Sequence, residues 1–305
     1  MNFEGKAILF GFLLPGLVSF LGLASASRLG SNRSRSGLGA LAFGLIPLWY
    51  FSLGLGTSLW PAENWQWLAW LGIVACLIHV VTGNKWILGI FYSLFVVLAA
   101  WLLVPHFERL ADERWYWLIA VSLVLLISLG SCMLLAQRLG GPALPCYWLL
   151  ASLAAVLLVF CASILTFAQL GGIFAGVIAG CCVASWLFPT RSLTSAIAPG
   201  WAVVYPALLI EAKLYTFSEV PFLSYLLLVC APLTIWLTAL PGVRKMKSGW
   251  RFVLGFLLLM TPITVGLYWG GQVAIDDMTE TEMPAWLLRI LRQLLGKPPL
   301  MNVEE

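Results

Sequence analysis

Charged residues are scarce in this chain of 305 residues, of which only 10% are Asp, Glu, Lys or Arg, against about 25% in ordinary soluble domains. Hydrophobic residues make up 61% of the sequence. A soluble fold cannot bury that much apolar surface, so lipid must be the solvent for most of the chain. The shortage of charge therefore argues against a soluble domain and predicts an integral membrane protein.

Sequence motifs of common catalytic and metal sites are also missing. There is no H-E-x-x-H, no G-x-x-x-x-G-K-[ST] phosphate loop and no G-x-S-x-G nucleophile elbow, so the usual zinc protease, ATPase and serine hydrolase chemistries have no support. The seven cysteines form no C-x-x-C pair, and we interpret them as small packing residues. We predict no catalytic residue, no metal site and no cofactor, and we expect a protein that is not an enzyme.

Histidine is equally rare, with only His79 and His106 in the chain. The predicted spans place His79 near the inner end of one helix and His106 just past the outer end of the next. Two residues so placed cannot share one metal ion. We interpret His79 as a polar side chain paired with a neighbour, and as a candidate lining residue for a cavity.

The chain does contain a series of continuous apolar segments. Ten of them are long enough to cross a bilayer as helices, which takes roughly 17–25 residues each, and a helix satisfies its own backbone in lipid. The predicted fold class is therefore all-α, a polytopic membrane helix bundle with about ten transmembrane helices. The predicted spans are 7–24, 38–57, 67–81, 86–104, 115–136, 146–167, 171–188, 193–210, 221–240 and 252–270.

The charges provide a test of these spans, because they were not used to define them. Alternate connections carry ten basic residues and no acid: Arg28, Arg33, Arg35, Lys85, Arg138, Arg191, Arg244, Lys245, Lys247 and Arg251. All 13 acidic residues fall on the opposite side. Basic connections stay in the cytoplasm, so we predict that the N-terminus and the C-terminus both lie outside. The predicted location is the cell membrane, plasma or inner.

Two regions are expected, a transmembrane bundle over 1–270 and an extracytoplasmic tail over 271–305. Within the tail, residues 284–295 read PAWLLRILRQLL, with apolar residues at helical spacing and Arg289, Arg292 and Gln293 between them. This pattern is typical of an amphipathic helix lying on a membrane surface. Binding to a partner protein is the alternative role for this helix.

Tryptophan is abundant, and its 16 residues fit the same spans. Six lie near the predicted outer interface and four near the inner one, where indole rings prefer to sit. The outer set is Trp60, Trp65, Trp67, Trp115, Trp117 and Trp269, and the inner set is Trp86, Trp148, Trp186 and Trp250.

The span 171–188 carries a ladder of small residues, with Gly172, Gly176 and Gly180 at four-residue spacing. Such a ladder leaves a bare groove into which another helix backbone can settle. We interpret it first as a helix-packing face, either within the chain or toward a membrane-protein partner. A cavity lined by exposed carbonyl groups is the alternative.

The following span, 193–210, holds Pro199 and Pro206 in its interior. Each proline deletes a backbone hydrogen bond, and broken helices recur at transporter binding sites. We expect an interrupted or kinked helix here. Tyr205 lies just below its outer end, and Glu211 and Lys213 follow it, so we predict these three as the polar rim of an outward-facing site.

No Asp, Glu, Lys or Arg falls inside the ten predicted spans, which argues against a pump that uses a buried carboxylate. The first hypothesis is a permease-like carrier of a small neutral or amphipathic solute. The second is a non-catalytic scaffold or assembly subunit of a larger complex, and a lipid-modifying membrane enzyme is the third. The expected partners are the lipid bilayer, a small neutral solute or a membrane protein, and no nucleic acid.

Overall fold

The computed structural model describes residues 9–27, 60–82, 85–139, 142–188, 191–216 and 218–277. Within these ranges the chain forms helices and no strand, so the predicted all-α class is confirmed. The helices are α1 (Leu14–Ser27), α2 (Trp67–Val81), α3 (Lys85–Leu103), α4 (Arg114–Leu139), α5 (Ala143–Cys161), α6 (Leu165–Leu187), α7 (Arg191–Tyr215), α8 (Phe222–Cys230), α9 (Pro241–Arg244) and α10 (Ser248–Asp277).

Two further segments extend the main helices. A π-helical turn over Leu9–Leu13 leads into α1, and a 3₁₀ segment over Ala231–Ala239 continues α8. Eight helical segments in the described ranges are long and apolar enough to cross a membrane, and α1 adds a shorter apolar helix. These nine coincide with nine of the predicted spans. The predicted span 38–57 and the predicted amphipathic helix 284–295 lie outside the described residues.

Helix α7 is the most enclosed of the eight crossing segments. In it, 89% of the residues in the most apolar stretch are buried, against 22% in α10. It packs against α2, α4, α5, α6 and α8. Most of its surface therefore meets other helices, and most of its residues from Thr194 to Leu214 lie in the interior of the bundle.

Short connections give the bundle two ends of different charge. One connection holds Glu108, Asp112 and Glu113, and a later one holds Arg244 and Lys247. Five helical segments lie between these two connections: α4, α5, α6, α7 and the α8–3₁₀ unit. An odd number of crossings places these two connections at opposite ends. We call them the acidic end and the basic end. Which end faces the cytoplasm stays a prediction from the charge distribution.

Two prolines inside helices are compensated by hydroxyl groups from neighbouring helical segments. A proline lacks the N–H that would bond the carbonyl four residues earlier. The freed carbonyl of Ala202, four residues before Pro206, accepts a hydrogen bond of 2.7 Å from the Ser128 hydroxyl. That of Leu258, before Pro262, accepts from Thr234 at 3.0 Å. The Tyr205 hydroxyl donates a further bond of 2.6 Å to the Leu228 carbonyl, which also accepts from the backbone N–H of Ala231 at the end of α8. These carbonyls are therefore satisfied across helix interfaces, which fixes the register of the helices around α7.

Candidate functional site

The glycine ladder of α6 is filled by α1 and by the π-helical turn Leu9–Leu13 that leads into it. A Cβ atom added at Gly176 would collide with the backbone of Phe12, and one at Gly180 would collide with the carbonyl oxygen of Gly16. Gly172 is less tight, since its added Cβ would lie 3.4 Å from the carbonyl oxygen of Gly11. The groove therefore holds another helix of the same chain rather than a lined cavity.

A side chain of α1 reinforces this contact. The Ser19 hydroxyl is fully buried and donates a hydrogen bond of 3.1 Å to the carbonyl of Val177. The same oxygen lies 3.6 Å from the thiol of Cys181. The face that the sequence also offered to a partner protein is thus covered by α1.

The proline segment is a continuous helix rather than an interrupted one. Both Pro199 and Pro206 lie inside α7, which runs unbroken from Arg191 to Tyr215. Of the two expected forms, the interrupted span is corrected here, and so is the predicted end at residue 210; the kinked helix stays a prediction. The helix continues for more than a turn past residue 210 because neighbouring helices surround it there. They cover the polar residues that follow the apolar run.

Three stacked aromatic rings join α5 to α7 in the core. The rings of Trp148 and Trp201 lie 5.1 Å apart, and those of Trp201 and Tyr205 lie 4.7 Å apart, both nearly parallel. The indole N–H of Trp201 donates a hydrogen bond of 3.0 Å to the Ser152 hydroxyl. Trp148, predicted at the inner interface, is instead completely buried, since its ring completes this column.

A small cavity lies beside the column, between α5, α6 and α7. Its volume is about 10 Å³, space for one water molecule at most. Its lining residues are Ser152, Ala155, Gly171, Phe174, Trp201, Val204, Tyr205 and Leu208. Tyr205 is thus the one sequence-predicted site residue that faces this cavity. The site in this state is closed to anything larger than water.

Glu211 lies on the same face of α7 as the cavity-lining residues, because it follows Leu208 by three residues and Val204 by seven. Its side chain is 0% exposed. Neither carboxyl oxygen has a hydrogen-bond partner among the described residues. Glu211 was predicted at the polar rim of an outward-facing site, and this is corrected: it is an interior carboxyl group about 6 Å from the end of its helix.

The neighbouring polar residues do not neutralise this carboxyl group by direct contact. Lys213 donates a hydrogen bond of 3.0 Å to the carbonyl of Val220 and lies over the ring of Tyr225. Tyr215, one turn past Glu211, interacts with it electrostatically. Lys213 thus links the end of α7 to the connection that follows it, whereas Glu211 faces the interior of the bundle.

His79 lies far from this carboxyl group. Its neighbour Cys76 on α2 lies against the backbone of Gly200, and Glu211 is eleven residues further along α7, or about 16 Å. The Nδ1 atom of His79 is buried without a hydrogen-bond partner among the described residues. The pairing that we expected is therefore not seen at this nitrogen, and His79 does not join Glu211 in a site. In the described ranges, no three His, Cys, Asp or Glu side chains come together as metal ligands would.

Sequence reasoning missed Trp201 and Ser152, which line the cavity with Tyr205, and it missed the stacking of Trp148 on Trp201. A signal was available for the first two. Trp201, Val204, Tyr205 and Leu208 recur at helical spacing and mark one face of α7, and Ser152 is a polar residue inside an apolar span. Their proximity in space depends on how α5 packs on α7, which no local pattern records.

Comparison with protein-family models, curated proteins and solved structures finds no match for this chain. The fold and the site nevertheless define its class, an all-α helix bundle of the multi-pass membrane type. Its distinguishing feature is a central, proline-containing helix that carries an enclosed carboxyl group next to a closed aromatic cavity.

Proposed function

We propose that this protein is a proton-coupled carrier of a small neutral or amphipathic solute, with Glu211 as the residue that binds the proton. The observation that carries the proposal is the complete burial of Glu211 without a hydrogen-bond partner in the described structure. Ionisable residues inside the membrane are costly and are found at proton relays and ion paths. An unpaired carboxyl group in the interior costs stability, and binding a proton during transport gives it a function that offsets this cost.

The position of Glu211 supports coupling to a solute. The carboxyl group and the cavity share one face of α7, so a change of charge at Glu211 acts directly on the helix that lines the cavity. The aromatic rings of Trp201 and Tyr205 and the Ser152 hydroxyl offer an apolar surface with few polar groups. Such a lining suits a neutral or amphipathic molecule better than an ion.

The two prolines of α7 support a change of shape. Pro199 and Pro206 bracket Trp201 and Tyr205, and each removes one backbone hydrogen bond of the helix. Hinges and kinks in membrane helices concentrate at such positions. Because the cavity of about 10 Å³ is too small for a solute, the proposed cycle requires α7 to bend there and open it.

The test uses the full chain in proteoliposomes adsorbed on a solid-supported membrane. A rapid pH change should give a transient current as protons reach Glu211, and no solute is needed for this signal. Glu211→Gln should abolish the current, because the amide keeps the shape but cannot ionise. Glu219→Gln is the matched control, since Glu219 is an exposed acid in the connection that follows α7, and it should leave the current unchanged.

Solute coupling is measured in the same preparation. Hexoses, polyols, nucleosides and single-ring aromatic compounds are added one class at a time, and a coupled solute turns the transient current into a sustained one. A current that Glu211→Gln leaves intact would overturn the role of Glu211. A Glu211-dependent transient with no sustained current for any class would overturn solute coupling.

A scaffold or assembly subunit is the second candidate function, and the closed interior favours it. The central cavity is minute, and the groove of α6 is filled by α1. A scaffold needs no charge movement, so complete absence of the transient current in the wild-type protein would favour this function over the carrier.

A further inference from the structure

Two cysteines from different helices meet at the basic end of the bundle. Cys146 lies in the first turn of α5 and Cys182 in the last third of α6. Their sulfur atoms are 3.0 Å apart. Both residues are only partly buried, unlike the three fully packed cysteines of the described core, which are Cys76, Cys132 and Cys181.

The separation is close to what a disulfide needs. A disulfide bond is about 2.05 Å long, so the two sulfur atoms must approach by about 1 Å. Residues 146 and 182 belong to α5 and α6, which pack against each other, so the helix packing already holds the two thiols side by side. The adjacent Cys181 points elsewhere, toward Ser19 of α1.

We propose that Cys146 and Cys182 form a reversible disulfide that links α5 to α6 at the basic end. The oxidant is a low-molecular-weight disulfide. One thiolate attacks it, forms a mixed disulfide and releases one small thiol; the second thiolate then attacks the protein sulfur of that mixed disulfide and releases the other. Both protein thiols lose their protons, two electrons pass to the small disulfide, and two small thiols leave.

The chemical setting defines the role of this bond. The charge distribution predicts that the basic end faces the cytoplasm, where thiols are kept reduced and protein disulfides are transient and redox-sensing. The bond would join the helices on either side of the connection 162–164 at the ends far from that connection, with Cys182 nine residues before Arg191, where α7 begins. It would therefore hold these ends of α5 and α6 together under oxidation and release them under reduction. This inference is independent of the proposed transport function.

The test is peptide mapping of the full-length protein in lipid nanodiscs. The protein is treated with oxidised glutathione, the remaining thiols are alkylated with N-ethylmaleimide, and the digest is analysed without reduction. We expect a cross-linked pair of peptides containing Cys146 and Cys182 that disappears after dithiothreitol. Alkylation at both positions should fall together, and it should not fall at Cys132.

Two serine variants give the control. Cys182→Ser should remove the cross-link, whereas Cys181→Ser, a change at the neighbouring position, should keep it. A glutathione adduct on Cys146 that never resolves into the cross-link would overturn the proposal. Continued alkylation of both thiols after oxidation, or a cross-link from Cys146 to a different cysteine, would overturn it as well.

Discussion

The hydroxyl group of Ser128 on α4 donates a 2.7 Å hydrogen bond to the carbonyl group of Ala202 on α7. That carbonyl has lost its partner within the helix because residue 206 is proline. A neighbouring helix thus satisfies a backbone group that cannot be left unpaired in a lipid environment. The same arrangement recurs at Leu258, four residues before Pro262, whose carbonyl accepts from the Thr234 hydroxyl.

This relationship predicts a coupled pair of substitutions. Ser128→Ala should lower the free energy of unfolding by about 1–3 kcal/mol, since it leaves a buried carbonyl group unsatisfied. Pro206→Ala restores the backbone N–H, so Ser128→Ala should cost measurably less in the Pro206→Ala background. Unfolding in mixed micelles measures all four proteins of the cycle. Equal costs of Ser128→Ala in both backgrounds would show that the hydroxyl is not serving the carbonyl freed by the proline.

The contact between α1 and α6 predicts opposite effects for two similar glycine substitutions. Gly176→Ala should lower the free energy of unfolding by about 1–3 kcal/mol through overpacking, because its Cβ would meet the backbone of Phe12. Gly130→Ala on α4 meets no atom within 4 Å and should raise stability by up to about 1 kcal/mol, since alanine favours the helix. Thermal unfolding in detergent compares the two variants. Equal midpoints would contradict close packing of α1 in the groove.

Burial of the Glu211 carboxyl group leads us to expect that this residue lowers the stability of the fold although the proposed function requires it. Glu211→Leu replaces an unpaired buried polar group with an apolar one of similar size, so the free energy of unfolding should rise by about 1–3 kcal/mol. The exposed Glu219 is the comparison, and Glu219→Leu should change stability by less than about 0.5 kcal/mol. Chemical denaturation in detergent provides the measurement. A marked loss of stability in Glu211→Leu would mean that the carboxyl group is held by favourable contacts.

The two ends of the bundle predict a topology that can be read in whole cells. A short epitope inserted between Asp112 and Glu113 should bind antibody in intact cells, because the acidic end is predicted outside. The same epitope between Lys245 and Met246 should bind only after permeabilisation, because basic connections remain in the cytoplasm. Accessibility of both insertions on the same side would contradict the arrangement of five crossings between them. Reversed accessibility would contradict the predicted orientation alone.

The amino-acid sequence by itself determined the class and the crossing segments of this protein. Long apolar runs specify membrane helices because each helix satisfies its own backbone, and nine predicted spans coincide with described helices. The close packing at Gly176 and Gly180 was also foreseen, because glycines at four-residue spacing expose the helix backbone. Each of these features depends on residues that are near one another in the chain.

Only the tertiary structure decided which polar groups lie inside. The run of apolar residues stops at Glu211, but α7 continues to Tyr215 because surrounding helices enclose that turn. In the same way, Trp148 belongs to the core and Cys146 meets Cys182 because α5 packs against α6 and α7. Burial depends on residues distant in sequence, whereas hydropathy records a residue and its neighbours in the chain. The candidate site of this protein therefore lies at Glu211, where the hydropathy of the sequence predicts exposure and the packing of the helices produces burial.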